Sequence, residues 1–276
     1  MLRTMLPLFC ALLALPAPAQ EEGKPTGSRD ILLILDCSGS MLGTTADGEV
    51  KLEAAKRVVS HLIERLPDDL NVGLLAYGHR LGATDPGTCQ DIELVVPVVA
   101  TDKARLLGKV QGLDGRGRTP IAASLTRAGE ILQALGTGRE KSLVLVTDGL
   151  ETCGGDAQAT ARALQALGIK LDFLVIGFDL AETEAKAIEA IAQAGKGKYL
   201  NAKNAKELEG AFEKVHRDLV IKAPDVGRDE IVGKGGPGYI SLLGAKTPNV
   251  ASSCGWNAAS RTSGTPTIAS SRAHAR

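Results

Sequence analysis

Short runs of aliphatic residues alternate along the chain with longer segments in which apolar residues recur at helical spacing. The first aliphatic run, residues 31–35, is unbroken and leads into Asp36, which is the pattern of a strand buried on both faces. The segment 51–66 follows with apolar residues on one helical face, and Pro67 ends it. The periodic part of the chain therefore begins as a strand followed by a helix.

The same alternation continues to about residue 221. Further strands are predicted at 72–77, 92–99, 142–147, 171–176 and 198–201, and further helices at 101–113, 120–135, 157–167, 182–194 and 205–219. Thr101 is predicted to cap the first of these helices, and Pro120 to open the second. This alternation predicts an α/β fold, a doubly wound and mostly parallel sheet with helices on both faces.

The second and third predicted strands are joined differently from the others. Residues 78–91 are too few to hold a helical crossover, so these two strands are predicted to pair antiparallel. The third strand then forms an antiparallel edge on an otherwise parallel sheet.

The first 19 residues have the composition of a secretory signal. Arg3 precedes a short apolar stretch, 6–15, and Ala17 and Ala19 supply the small residues of a cleavage site. The stretch is too short to span a bilayer, and the mature chain is predicted to have no transmembrane segment. The protein is therefore predicted to be exported, to a periplasm or out of the cell, with an uncleaved anchor as the alternative.

Composition divides the rest of the chain into three segments. Residues 20–28 are polar, contain Pro25 and Gly27, and are predicted to be a linker. Residues 29–221 hold the periodic pattern and are predicted to be one folded domain. Residues 222–276 are rich in Gly, Ser, Ala, Thr and Pro and are predicted to be a low-complexity, mostly disordered tail.

Overall composition and charge narrow the classes of fold and partner. The chain is 44% hydrophobic but only 3% aromatic, which favours an α/β domain with buried parallel strands over a β-sandwich. The 32 basic and 32 acidic residues balance, so no excess of positive charge indicates a nucleic-acid partner. The charged runs at 51–57 and 182–186 are interpreted as solvated helix faces.

Without the signal, four cysteines remain: Cys37, Cys89, Cys153 and Cys254. The sequence does not decide among their three possible pairings, or between disulfides and unpaired thiols.

Five oxygen-bearing side chains lie where predicted strands end or a predicted helix begins. They are Asp36, Ser38, Ser40, Thr119 and Asp148. Open α/β sheets bind ligands beyond the carboxyl ends of their strands. Two carboxylates and three hydroxyls form a set of hard donors, which suits Mg²⁺ or Ca²⁺ better than zinc. The sequence therefore predicts a divalent-cation site, against the competing interpretation of helix caps and turn residues.

The motif Asp-x-Ser-x-Ser, with a distant Thr before Pro and a later Asp-Gly, resembles the metal-ion-dependent adhesion site of von Willebrand factor A domains of bacterial extracytoplasmic proteins. The resemblance covers the whole predicted domain and implies a Rossmann-like sheet with one antiparallel edge strand. It implies that Ser38, Ser40 and Thr119 are hydroxyl ligands. Asp36 and Asp148 would hold the cation directly or through water. The implied cation is Mg²⁺, with Mn²⁺ or Ca²⁺ as substitutes, and the implied partner is a protein with an exposed Asp or Glu.

Other residues gain an interpretation from the same resemblance. Cysteines recur in the corresponding stretches of bacterial extracytoplasmic relatives, which implies a disulfide between Cys89 and Cys153 that tethers the metal-bearing loop. Cys37 is predicted to face the core as an unpaired thiol. His79 and Arg118 are candidate contacts for a bound partner, with a solvated loop as the competing interpretation for His79.

Motifs of common enzyme classes are missing from the segments around the predicted site. The sequence there has neither a Gly-x-Ser-x-Gly elbow nor a glycine-rich phosphate loop. Ser38 stands where an aspartate phosphotransferase would need a second acid. We therefore expect a cation-dependent binding module for adhesion or assembly and not an enzyme. The alternative is a regulatory or scaffold subunit of an extracytoplasmic complex, with a structural or vestigial metal site.

Overall fold

Six strands form one sheet in the computed structural model, which describes residues 29–221. In chain order they are β1 (Arg29–Asp36), β2 (Leu70–Tyr77), β3 (Ile92–Ala100), β4 (Glu140–Thr147), β5 (Leu171–Phe178) and β6 (Lys198–Ala202). Across the sheet the order is β3-β2-β1-β4-β5-β6. The predicted signal, linker and tail, at 1–19, 20–28 and 222–276, lie outside the described residues.

Strand directions follow the lengths of the connections. β1 pairs parallel with both β2 and β4, and β5 pairs parallel with β4 and β6. β3 pairs antiparallel with β2 at the edge of the sheet. The predicted Rossmann-like sheet with one antiparallel edge strand is therefore confirmed.

Helices cover both faces of this sheet. They are α1 (Lys51–Arg65), α2 (Lys103–Gln111), α3 (Ile121–Ala134), α4 (Ala157–Gln165), α5 (Glu182–Ala194) and α6 (Ala205–Ile221). Apolar residues of α1, α2 and α6 share one core with the sheet, and those of α3, α4 and α5 share the other. The unbroken aliphatic run of β1 serves both cores, because Ile31 and Leu33 face the first and Leu32 and Ile34 the second.

The start of α2 differs from the prediction. Asp102, not Thr101, caps the helix, and its carboxylate accepts a hydrogen bond of 3.0 Å from the backbone N–H of Arg105. The hydroxyl of Thr101 instead donates to the carbonyl of Leu70 at 2.6 Å. Both residue types are good caps, and Thr101 is taken up by the neighbouring strand.

A charged cluster is buried at the amino end of the central strands. Asp30 and Lys141 face each other across β1 and β4 and are fully buried. The Asp30 carboxylate lies 3.5 Å from the Lys141 ammonium and accepts hydrogen bonds from Asn71 at 2.8 Å and Arg139 at 2.9 Å. Loss of one partner of such a pair destabilises the fold, because the other is left as an uncompensated buried charge.

Replacing Asp30 by Ala is expected to lower the free energy of unfolding by about 3–5 kcal/mol, because Lys141 keeps a buried charge without its counter-ion. Urea denaturation of the variant measures this loss. Lys186→Ala is the control, because its pair with Glu182 is well exposed and should contribute less than about 1 kcal/mol. Equal losses in the two variants would contradict the assigned role of the cluster.

Candidate metal centre

The predicted site residues come together at the carboxyl ends of β1 and β4. Asp36 is the last residue of β1, and Asp148 directly follows β4. The two strands are parallel neighbours at the point where the strand order reverses, which is where open α/β sheets form binding sites. Both carboxylates are buried. The fold therefore places two negative charges side by side away from bulk water.

Two serine hydroxyls join these carboxylates. Ser38 Oγ lies 3.0 Å from Ser40 Oγ, and Ser40 Oγ donates to Asp148 Oδ1 at 2.7 Å. The backbone N–H of Ser38 donates to Asp36 Oδ1 at 2.7 Å. This turn after β1 folds back on its own aspartate, so four of the five predicted ligands lie within one hydrogen-bonded network.

Thr119, the fifth predicted ligand, is buried. Its segment is hydrogen-bonded to the turn after β1 and to the loop after β4. Gly117 pairs with Ser38, and its carbonyl accepts a 2.9 Å hydrogen bond from Gly39. Thr119 and Thr152 exchange hydrogen bonds: the Thr119 N–H donates to Thr152 Oγ1 at 2.8 Å, and the Thr152 N–H donates to the Thr119 carbonyl at 3.0 Å. Thr119 thus sits between the turn after β1 and the loop after β4.

Two glycines allow this close approach of backbones. Gly78 has a φ of +69°, and a Cβ there would lie 2.8 Å from the carbonyl oxygen of Arg118. A Cβ on Gly117 would lie 2.9 Å from the Cα of Gly78. Side chains at either position would push the Thr119 segment away from the end of β1.

Burial changes the proton affinity of the carboxylate pair. Desolvation raises the pKa of Asp36 from 3.8 to about 6, and the negative charge of Asp148 adds to the rise. Desolvation also raises the pKa of Asp148. Thr147 Oγ1 opposes the rise by donating to Asp36 Oδ2 at 2.6 Å, and the Tyr77 hydroxyl donates in turn to Thr147 at 3.3 Å. Thr147 was not among the predicted site residues. Its position as the last residue of β4, directly before Asp148, is the sequence feature that could have identified it.

Lys51 contributes a positive charge that the sequence interpretation missed. Its ammonium lies 3.2 Å from Asp148 Oδ2 and 3.0 Å from Asp179 Oδ2, and its side chain is only 14% exposed. The interpretation of 51–57 as a solvated helix face is therefore wrong for Lys51 and for Lys56, which is also buried, whereas Lys186 on α5 is solvated. Burial alone would lower the pKa of Lys51, but the hydrogen bonds and charges of both aspartates outweigh it and raise that pKa.

A disulfide joins two loops beside the site, as the resemblance implies. Cys89 lies in a short 3₁₀ turn, Thr88–Gln90, before β3, and its partner Cys153 lies in the loop after β4. Glu151 fixes the same loop, because its carboxylate accepts hydrogen bonds from the N–H groups of Cys153 at 2.7 Å and Ala122 at 2.8 Å. The loop that carries Asp148 is thus held covalently and by hydrogen bonds.

The two candidate contact residues have partners within the domain. Arg118 donates from its guanidinium to the carbonyls of Ala83 at 3.0 Å and Thr152 at 3.2 Å, so it links the loops that the disulfide joins. His79 is largely buried and lies 3.1 Å from Glu93. Cys37 is fully buried and unpaired, and burial raises the pKa of its thiol, in keeping with a core residue.

The donor set fits a hard divalent cation. All five residues offer side-chain oxygens as ligands. Two of them are carboxylates, and the charge of Asp148 makes ionisation of Asp36 less favourable. A bound cation would offset that repulsion. Within residues 29–221 no three His, Cys, Asp or Glu side chains are grouped as a metal site. A cation held by these five donors would have hydroxyl oxygens as well as the two carboxylates among its ligands.

Two exposed apolar side chains lie close in sequence to the site residues. In the described part of the chain, Leu42 and Leu150 are the large hydrophobic residues that are well exposed, at 55% and 38%. Leu42 follows the turn of Ser38 and Ser40, and Leu150 follows Asp148 by two positions.

No helix among the described residues is both long and apolar enough to cross a membrane.

Comparison with known proteins places the chain among related domains. The Bacillus subtilis (strain 168) protein YwmD is 31% identical over 210 residues, which are 75% of this chain and 92% of YwmD. The pilus adhesin SpaC from Lactobacillus rhamnosus GG superposes with a TM-score of 0.56 at 18% identity, over 72% of this chain but only 31% of SpaC. Proximal thread matrix protein 1 from the mussel byssus, in a structure with a zinc-occupied MIDAS motif, superposes with a TM-score of 0.52 at 17% identity, over 71% of this chain and 46% of that protein.

At these identities the two solved structures show a shared fold. The model of the von Willebrand factor type A domain matches residues 30–214, which is most of the chain and includes all six strands apart from the first residue of β1. The chain belongs to the von Willebrand factor type A domain family.

Proposed function

We propose that the domain is a divalent-cation-dependent protein-binding module for adhesion or assembly. In this proposal Mg²⁺, or Mn²⁺ or Ca²⁺ in its place, is held by the five oxygen donors Asp36, Ser38, Ser40, Thr119 and Asp148. The observation that carries the proposal is the buried Asp36–Asp148 pair, joined through the Ser40 hydroxyl, which donates to Asp148, and the Ser38 hydroxyl, 3.0 Å from that of Ser40. When bound, the cation would supply a Lewis-acidic position that a carboxylate of a partner protein can fill.

The charge of the donor set supports an anionic partner. Three of the five donors are neutral hydroxyls, so where Asp36 and Asp148 contact the cation only through water, its direct protein ligands are uncharged and leave its positive charge available. A partner's Asp or Glu would complete the charge balance with a directional bond, which favours a carboxylate over a neutral group. This is a binding role, and we propose no catalysed reaction.

The surroundings of the site support a protein rather than a small anion as the partner. Leu42 and Leu150 are exposed and lie two positions after Ser40 and Asp148 in the sequence, and exposed apolar side chains beside a polar anchor are found in protein interfaces. SpaC is a pilus adhesin and the mussel matrix protein has a zinc-occupied metal-ion-dependent adhesion site, and both agree with this assignment. The balanced net charge does not favour nucleic acid.

We also propose that the protein works outside the cytoplasm. The predicted signal over 1–19 supports export, and the Cys89–Cys153 disulfide suits an oxidising compartment. A periplasmic and a secreted location agree equally with these features.

Mg²⁺ is expected to bind the domain and to raise its melting temperature, whereas the Asp36→Ala variant should show neither effect. At a cation concentration of about 100 times Kd, binding would add about 2.7 kcal/mol to the free energy of unfolding. Calorimetric titration with Mg²⁺, repeated with Mn²⁺, measures binding directly.

Asp114→Ala is the matched control for this experiment, because Asp114 is an exposed carboxylate paired with Arg116 and lies outside the donor set. It should bind Mg²⁺ as the native domain does. A folded native domain that binds neither cation would overturn the proposal in favour of a regulatory or scaffold subunit with a vestigial site.

Acidification is expected to weaken Mg²⁺ binding, because a proton on Asp36 competes with the cation. Its pKa is raised from 3.8 to about 6 in the metal-free domain, so stabilisation by Mg²⁺ should be smaller at about pH 5 than at about pH 7.5. Without Mg²⁺, Asp36 is protonated to a greater extent in the folded state than in the unfolded chain between pH 3.8 and about 6. The contribution of Asp36 to the free energy of unfolding of the metal-free domain, measured as the difference between the native domain and Asp36→Asn, should therefore fall as pH rises through that window.

Thermal melting at the two pH values, with and without Mg²⁺, checks both signs. Asp36→Asn is the control, since it removes the titrating group and should reduce the metal-free pH dependence. A Mg²⁺ effect of equal size at both pH values would count against a cation held by Asp36.

Leu42 and Leu150 are expected to select the sequence around the partner's acid. With Mg²⁺ present, a peptide with Leu on each side of a single Glu should bind more tightly than one with Gly on each side, by about 1 kcal/mol for each leucine contact. Leu42→Ser with Leu150→Ser should abolish this preference and leave Mg²⁺ affinity unchanged. Fluorescence polarisation of the two labelled peptides tests it; a preference that survives both substitutions would exclude this role.

A further inference from the structure

Lys51 is held rigidly beside the candidate metal centre. It is the first residue of α1, and its backbone N–H donates to the carbonyl of Gly43 at 2.9 Å. Gly43 in turn donates its N–H to the carbonyl of Ser40 at 2.9 Å. The helix start and the serine turn are therefore joined by two short backbone hydrogen bonds, so Lys51 keeps a fixed place relative to Ser40.

The side chain of Lys51 bridges two carboxylates from different strand ends. Asp148 follows β4, and Asp179 follows β5; the ammonium lies 3.2 Å from the first and 3.0 Å from the second. Asp179 has a φ of +52°, a conformation that residues other than glycine rarely adopt. Its N–H donates to the carbonyl of Ala202 on β6 at 2.7 Å. The backbone thus holds the Asp179 carboxylate in reach of Lys51 despite its unfavourable local geometry.

The charges of this cluster balance only when Lys51 is counted. Asp36, Asp148 and Asp179 bring three negative charges, and Lys51 brings one positive charge. A divalent cation then makes the cluster neutral. Without Lys51 the same loaded cluster would carry a net negative charge and would repel an incoming carboxylate.

We propose that Lys51 is a positioning residue that serves as the fixed positive charge of the metal centre and tunes it for carboxylate capture; this inference rests on the function proposed above. Its ammonium occupies Asp148 Oδ2, and Asp148 Oδ1 remains directed at Ser40. The Lys51 ammonium repels the cation, and it attracts the partner's carboxylate to the cation-loaded site. Lys51 therefore lowers the affinity for Mg²⁺ and raises the affinity of the loaded site for an acid.

These opposite effects separate the proposal from a purely structural ion pair. If Lys51 only tied α1 to the loop after β5, its loss would reduce stability and would leave the two affinities unchanged or lower both. A tuning charge changes them in opposite directions.

The test is a pair of titrations on the full chain with Lys51→Met, which keeps the length of the side chain and removes its charge. Mg²⁺ binding by calorimetry should become about tenfold tighter than in the native protein. Binding of a labelled peptide with one Glu, at saturating Mg²⁺, should become about tenfold weaker. The variant should also melt at a lower temperature than the native protein without cation and gain more from Mg²⁺.

Two controls accompany this variant. Lys51→Arg keeps the charge and should behave like the native protein in both titrations. Lys186→Met removes an exposed charge of α5, paired with Glu182, and should change neither affinity.

Asp179→Asn provides an independent test that does not depend on the folding of Lys51→Met. It leaves Lys51 to Asp148 alone, so Mg²⁺ binding should weaken and peptide binding should strengthen. Affinities that move together in both variants, or that do not move, would overturn the role of Lys51 while native Mg²⁺ and peptide binding upheld the proposed function. A native protein that binds no cation would overturn both.

Discussion

The site depends on one electrostatic constraint, the burial of Asp36 and Asp148 next to each other at the point where the strand order reverses. Like charges in a poorly solvated place are unfavourable unless protons, hydrogen bonds or cations neutralise them. The surrounding groups partly neutralise this pair. Thr147 donates a hydrogen bond to Asp36, Ser40 donates one to Asp148, and Lys51 places a positive charge beside Asp148. Proton, ammonium and divalent cation therefore compete for the same pair of carboxylates, and the fold fixes the place of that competition.

Much of this arrangement could be predicted because it follows from backbone periodicity. The unbroken aliphatic run of β1 is required by two cores at once, and that requirement is visible in the sequence as a lack of polar residues. The short connection before β3 dictated its antiparallel pairing. Parallel strands end at one edge of a sheet, so residues as distant in sequence as Asp36 and Asp148 could be expected at one site before any distance was known.

The rest could not be predicted because it depends on side-chain partners that local patterns do not specify. Thr101 and Asp102 can both cap a helix. Asp102 does so here, because the Thr101 hydroxyl donates its hydrogen bond to the carbonyl of Leu70 on a neighbouring strand. Lys51 has the composition of a solvated helix position, and its burial depends on Asp179 in an unusual backbone conformation. The pairing of Cys89 with Cys153 came from resemblance and not from spacing, since four cysteines leave three pairings open.

The cross-link between Cys89 and Cys153 gives the rim of the site unequal stiffness. On the Leu150 side, two loops share a covalent bond and the guanidinium of Arg118 bridges them a second time. The turn after β1, which leads to Leu42, has no covalent link and is held by backbone hydrogen bonds and by the side-chain hydrogen bonds of Ser38 and Ser40. Reduction of the disulfide should therefore loosen the loop after β4 more than the turn after β1, because only the first of these depends on a covalent bond.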